Sequence, residues 1–147
     1  YDLEGFKELS KDISLSYEVN IPAYAVRAGE EILAFKLPTV TFSSGDVGTA
    51  ERTLPFSRPG NSYSEKRITI SLPEGYEIDY IPESVAISAG FESFTAELES
   101  QSGIINYRQV TTREHSPVVK ARKYDDYKEF VEEKAKFGEN WILIRKM

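Results

Sequence analysis

Ile68-Thr-Ile-Ser-Leu-Pro-Glu-Gly-Tyr-Glu-Ile-Asp-Tyr-Ile-Pro-Glu83 constrains the fold of this chain more than any other stretch. Ile68, Ile70 and Leu72 alternate with polar residues, which is the period of a half-buried strand. Leu72-Pro73-Glu74-Gly75 fits a type I turn, with proline pre-setting φ at its second position and glycine at its fourth. Tyr76, Ile78 and Tyr80 then resume the alternation. Strand, tight reversal, strand sets the class as all-β and specifies no chemistry.

The same period recurs along the chain. Residues 1–10 read as a lead-in. Ile13, Leu15, Tyr17, Val19 and Ile21 form the cleanest alternation, ended by Pro22. A short strand is expected over Tyr24–Arg27. Another covers Ile32–Leu37, apolar enough to be covered on both faces. Val40–Phe42 has the makings of a brief pairing. Ser43–Ala50 reads as a loop, and 52–64 as extended edge or loop. Strands follow over 66–72, 76–81 and 85–87. A hairpin turns at Gln101-Ser102-Gly103 between an alternating Phe94–Leu98 arm and an Ile104–Thr111 arm.

Over 124–137 the period changes to 3.6. Tyr124, Tyr127, Phe130, Val131 and Phe137 fall on one helical face. Asp126 and Glu129 have capping-box spacing, Asp125 is a competing cap, and Gly138 is a stop. Lys128–Glu132 and Glu132–Lys136 make i,i+4 pairs on the wet side. The final strand is 141–146. Nine or ten short strands at this spacing, with one C-terminal α-helix, predict an antiparallel β-sandwich in a single domain over 1–147.

Composition narrows the function classes. At 147 residues the chain fits one domain with a sizeable core. A net charge of -6 speaks against a nucleic-acid partner, which needs a basic face. No run approaches the roughly 20 apolar residues of a membrane helix. With no cysteine there is no thiol nucleophile, disulfide or thiolate metal site. The first residue is Tyr1 rather than Met, which leads us to expect a piece of a longer polypeptide, or a processed one, rather than a complete gene product.

Several residues invite a chemical role. His115 is the one histidine, in Thr111-Thr-Arg-Glu-His-Ser-Pro117. A catalytic base needs a nucleophile and an orienting group brought together in space, whereas Glu114 and Ser116 are mere sequence neighbours. An exposed loop residue is the better reading. Asp125-Asp126 is better explained by the positive end of a helix dipole than by a cation. Glu97 and Glu99 share a strand face, where acids on the wet side of a hairpin are ordinary. Nine tyrosines and eight phenylalanines are enough for a sugar-binding platform. Tyr17, Tyr76, Tyr80 and Phe94 sit at inward parity, however, so core packing accounts for them. Trp141 alternates with Leu143 and is expected in the core or at a domain interface. No catalytic, cofactor-binding or metal-ligating residue is assigned, and no cofactor is expected.

Arg52-x-x-Pro55, Ile68-x-Ile-x-Leu-Pro-Glu-Gly-Tyr76, the Phe91–Glu99 and Gly103–Thr111 hairpin, and Tyr124-Asp-Asp-Tyr-Lys-Glu-Phe130, taken in order, resemble an uncharacterised bacterial domain. That domain follows a transglutaminase-like domain in envelope proteins. The resemblance spans roughly residues 30 to 147. It departs from the family pattern before the helix, where proline is common and Arg122-Lys123 stand here. It implies a β-sandwich appended to a papain-like cysteine-protease or transglutaminase-type domain that carries the catalytic Cys-His-Asp. None of those residues transfers to this chain. The expectation is therefore a non-enzymatic accessory domain, periplasmic or envelope-located, that packs against or positions its neighbour in the same polypeptide. The alternative is a sandwich that binds a glycan or peptide.

Overall fold

The computed structural model describes residues 2–4, 10, 14–16, 18–45, 47, 48 and 51–147, with 2–4, 14, 116 and 117 described by their backbone alone. Along these residues run β1 (Asp2–Glu4), β2 (Ser14–Ser16), β3 (Val26–Arg27), β4 (Ile32–Phe35), β5 (Phe56–Arg58) and β6 (Ser62–Ser71). There follow β7 (Tyr76–Tyr80), β8 (Val85–Ser88), β9 (Glu92–Gln101), β10 (Ile104–Arg113), β11 (Ser116–Val119), α1 (Tyr124–Gly138) and β12 (Ile142–Lys146). Two four-stranded sheets carry the architecture, in the orders β6-β10-β9-β8 and β3-β4-β12-β7. β1-β2 and β5-β11 form small separate ribbons. Every pairing is antiparallel. The protein is all-β with one C-terminal α-helix, as its periodicity predicts.

The core is the shared inner face of the two sheets plus one face of α1. Phe94, Ala96 and Leu98 of β9 and Ile105 and Tyr107 of β10 meet Phe35, Ile142 and Ile144 from the other sheet. Tyr127, Phe130, Val131 and Phe137 complete the cluster from the helix. Phe137 stacks on Tyr107 at 6.4 Å and meets Phe94 edge-on at 5.8 Å. Burying a side chain of this size contributes about 1.5–3 kcal/mol, so the helix is held by packing, not by its own propensity. The β9–β10 hairpin turns through Ser102 and Gly103, both at positive φ (50° and 75°), which is the two-residue turn that matches strand twist.

The structure corrects the sequence reading at several points. The turn before β7 is closed by Tyr76 N–H donating to Pro73 O, one residue later than expected. Gly75 therefore occupies the third position at φ 82°, a type II geometry that requires positive φ. β6 and β7 do not pair with each other, because the chain crosses from one sheet to the other there. Of the expected strand over 13–21, the described residues show β2 alone. Ile13 and Tyr17 lie outside the described residues, while Leu15, Val19 and Ile21 are exposed. Alternation without a sheet face to cover it does not specify burial. Val40–Phe42 forms no strand, although Val40 is buried. β5 falls in the 52–64 stretch expected as extended edge or loop and pairs with β11, a strand the sequence does not predict because Pro117 lies within it.

The helix ends also differ. Lys123 is the N-cap and no side chain caps it. A 3₁₀ turn over Ala121–Lys123 runs straight into α1, and Tyr124 N–H donates to Ala121 O, so the first turn needs no Asp125 or Asp126 cap. At the other end Glu139 is the C-cap in right-handed geometry. Gly138 is the last helical residue. A β-carbon there would lie 3.0 Å from Phe42 Cδ2 and 3.3 Å from Phe42 N. Close approach, not a left-handed stop, is what this glycine provides. Lys128 lies 3.8 Å from Glu132, whereas no Glu132–Lys136 pair occurs among the described residues.

Candidate functional site

The β3-β4-β12-β7 sheet is apolar on its outer face as well as its inner one. Register aligns Val26, Ala34, Leu143 and Tyr80 across all four strands. Residues two positions away share that face: Tyr24 beside β3, Lys36 beside β4 and Trp141 before β12. Tyr24, Val26, Tyr80 and Trp141 are 42–49% exposed. Ala34 is only 6% exposed yet stands outside the main core cluster, buried beneath its cross-strand neighbours.

Local structure explains how these side chains reach the outside. Leu143 pairs with Tyr80 and Ile144 with Ile78, which leaves Asp79 as an extra residue in β7. That bulge turns Tyr80 outward although its parity with Tyr76 and Ile78 points inward. Trp141 lies one residue before β12, out of phase with the buried Ile142 and Ile144, so it is not a core residue. Polar groups ring the patch. Tyr24 Oη donates to Lys36 O at 2.9 Å, and Lys36 Nζ sits 5.3 Å from the Trp141 ring centroid and pairs with Glu139. Arg145 pairs with Asp79 at 2.6 Å. An apolar centre with a charged rim is the layout of a protein contact surface.

A second feature was missed by sequence reasoning. Arg58, Glu92 and Lys134 converge from β5, β9 and α1 on a crevice of about 260 Å³. Glu92 is 8% exposed and accepts from Arg58 Nη2 at 3.5 Å. The Arg58 guanidinium lies 5.1 Å from the Tyr127 ring centroid. Lys134 Nζ lies 5.0 Å from the Phe42 centroid, 5.3 Å from Phe94 and 5.9 Å from Phe130. Burial pushes the Lys134 amine below its ordinary pKa, Glu92 opposes that shift, and Arg58 adds to it. These contacts tie three elements together. A buried acid at the head of an otherwise alternating strand was the one available signal. Thr41, Ser43 and Tyr127 also line the crevice, and His115 lies outside it.

His115 is exposed and serves the backbone. Its Nδ1 accepts from Gly60 N–H at 3.0 Å, and its own N–H donates to Asn61 Oδ1 at 2.6 Å. Glu97 lies on the outer face of β9, 3.4 Å from Arg108 Nη1, and Glu99 lines the same shallow depression. Asp126 pairs with Lys123 at 2.9 Å. The structure does not bring Glu97, Glu99, Asp125, Asp126 and His115 together. Among the described residues no group of three or more acids and histidines is placed to hold a metal ion. No helix among them is long and apolar enough to cross a membrane. Phe94 is fully buried as expected of the aromatic load, Tyr76 packs against the core, and Tyr80 does not.

A family model described as "Domain of Unknown Function with solved-structure structure (DUF3858)" matches residues 31–144. The chain belongs to this family. Its matched span begins just before β4 and takes in both large sheets except β3 and the last two residues of β12, together with α1. A crystal structure described as a "putative protease" from Parabacteroides distasonis superimposes with a TM-score of 0.61 at 15% identity. The match covers 79% of this chain and 24% of that one, so this chain spans about a quarter of that protein's length. At that identity the likeness is one of fold. No curated protein matches the chain.

Proposed function

We propose that this chain is a non-catalytic accessory β-sandwich domain that packs against and positions a neighbouring protease- or transglutaminase-like domain. The outer face of the β3-β4-β12-β7 sheet makes the contact. The observation that carries this reading is the Val26–Ala34–Leu143–Tyr80 row, in which Val26 and Tyr80, with Tyr24 and Trp141 beside them, stand exposed around the half-buried Leu143 and the buried Ala34. An outer sheet face on a free-standing domain is normally polar, and apolar area of this kind stabilises a contact when it is covered. Membership of a family whose fold also occurs inside a larger protein described as a "putative protease" supports the placement beside a catalytic unit. A periplasmic or envelope location belongs to the same proposal and rests on the family resemblance.

The ligand-binding alternative, a glycan or a peptide, draws on the exposed rings of Tyr24, Tyr80 and Trp141. The aliphatic Val26 and Leu143 lie between those rings, which suits a protein contact better than a row of sugars. The test is amide hydrogen exchange on the full-length gene product and on this chain alone. Protection of residues 24–27 and 141–145 in the full-length protein, lost with Trp141→Asp, is expected. Unchanged exchange there would overturn the reading. So would a gene product without a protease- or transglutaminase-like domain, or peptide hydrolysis by this chain that His115→Ala abolishes.

A further inference from the structure

β8 ends its sheet, and the edge it leaves open faces α1 across a groove. Ala89 N–H donates to Glu92 O at 2.9 Å, and the register continues through Ile87–Phe94 and Val85–Ala96. Antiparallel ladders bond every second residue to a given neighbour. Val85, Ile87 and Ala89 therefore spend their backbone groups on β9, while those of Ala86 and Ser88 point away from it. Among the described residues β8 has no second partner strand. Two depressions of about 390 and 550 Å³ run along this edge and meet at Glu133. Phe130 and Phe137 of α1 line them.

The charge on the far wall says what fits. Asp126, Glu129 and Glu133 of α1 line the first depression with Lys123, and Glu83 and Lys136 stand on opposite sides of the second. Asp126 is neutralised by Lys123, but Glu129 and Glu133 make no ion pair among the described residues. Like charges one helical turn apart cost an isolated helix some stability, and a bound cation removes that cost. Glu129 and Glu133 stand roughly 6 Å apart along the helix axis at about 1.5 Å per residue. Alternate side chains of an extended peptide repeat every ~6.7 Å. Two basic residues at i and i+2 of an added strand therefore match the two free carboxylates.

We propose that the β8–α1 groove binds an extended basic peptide segment, which adds as a fifth strand to the β6-β10-β9-β8 sheet. Backbone hydrogen bonds come from Ala86 and Ser88, and Glu129 and Glu133 select lysine or arginine at alternate positions. This face is separate from the proposed domain contact, and the two stand or fall independently.

The probe is the capped peptide Lys-Val-Lys-Val-Lys, titrated into the ¹⁵N-labelled chain, with Glu-Val-Glu-Val-Glu as control. Expected are shifts and exchange protection at Ala86 and Ser88, and weaker binding of the acidic control. Glu129→Gln with Glu133→Gln should reduce affinity about twofold to thirtyfold, the range for two exposed ion pairs. Methylating alternate backbone nitrogens of the peptide should abolish binding to the unaltered chain. Equal binding of the acidic or N-methylated peptide would overturn the proposal. So would shifts confined to Tyr24 and Trp141, or no shift at millimolar peptide.

Discussion

Replacing Gly138 with alanine tests whether close packing, not chain reversal, decides the residue at the end of α1. Alanine is favoured over glycine in a helix by up to about 1 kcal/mol. Against that, the new methyl meets Phe42 Cδ2 at 3.0 Å, Phe42 N at 3.3 Å and Val40 O at 3.6 Å. The ring has little room to retreat, because Phe42 packs edge-on against the fully buried Phe94 at 5.2 Å and carries Lys134 over its face. Overpacking of this kind costs about 1–3 kcal/mol, so the net expectation is a loss of about 1 kcal/mol. In urea that lowers the midpoint by about 0.5 M at an m-value typical of a small domain. The decisive comparison repeats Gly138→Ala in a Phe42→Ala background, where the nearest atom has gone. There the same methyl should cost less, since only the backbone contacts to Phe42 N and Val40 O remain. Equal losses in both backgrounds would refute the packing argument, and a raised midpoint in the Gly138→Ala single variant would refute it outright.

Phe130→Ala should lower stability by about 3–5 kcal/mol, since its ring is buried in the core, and Lys136→Ala by under about 0.5; denaturation curves that show equal small losses would remove α1 from the core. Ile105→Ala should cost about 2–5 kcal/mol and Ile70→Ala less, because Ile105 is fully buried and Ile70 only partly; the reverse order in urea midpoints would refute the assigned strand phase. Arg108, Arg67 and Tyr63 hold the Glu65 carboxyl at about 2, below its ordinary 4.5. Their stabilisation is thus complete above pH 4.5 and fades as pH falls toward 2. Urea midpoints of the protein and its Glu65→Gln variant should differ most above pH 4.5 and converge near pH 2, and a constant gap would refute the ionic origin.

The strands visible in the sequence were those whose alternation is backed by a long partner. β9 and β10 pair over ten residues each, and the hairpin and the alternation of Phe94, Ala96 and Leu98 are legible in the sequence, although the turn is Ser102-Gly103 alone and Gln101 pairs with Ile104. The helix was legible for the same reason, since Tyr127, Phe130 and Phe137 repeat at the spacing of one buried stripe. Misreadings cluster where pairing is not local. Leu72-Pro73-Glu74-Gly75 looks like a hairpin, yet β6 finds β10 and β7 finds β12, partners more than thirty residues away in sequence. A turn motif specifies the bend and leaves the destination of the strand open. Ile13–Ile21 fails in the opposite way, by presenting a strand's pattern where the described residues provide only a two-stranded ribbon to receive it.

The candidate contact face was hidden by the same physics. Alternation assigns residues to two faces, and the natural inference gives the apolar set to the core. In β4 and β12 both sets are apolar, so parity cannot say which set is inside. Ile142 and Ile144 took the core, and Trp141 and Leu143 were left outside. The bulge at Asp79 then moved Tyr80 from the inner set to the outer, a one-residue event with no sequence signature beyond the pair Asp79-Tyr80 itself. Strands apolar on both sides call for a cover on each. On the inside of this sheet the cover is the second sheet and α1. On the outside the polar rim of Lys36, Glu139, Arg145 and Asp79 marks where that second cover would stop. This matches a bounded contact with another folded unit better than a third internal layer.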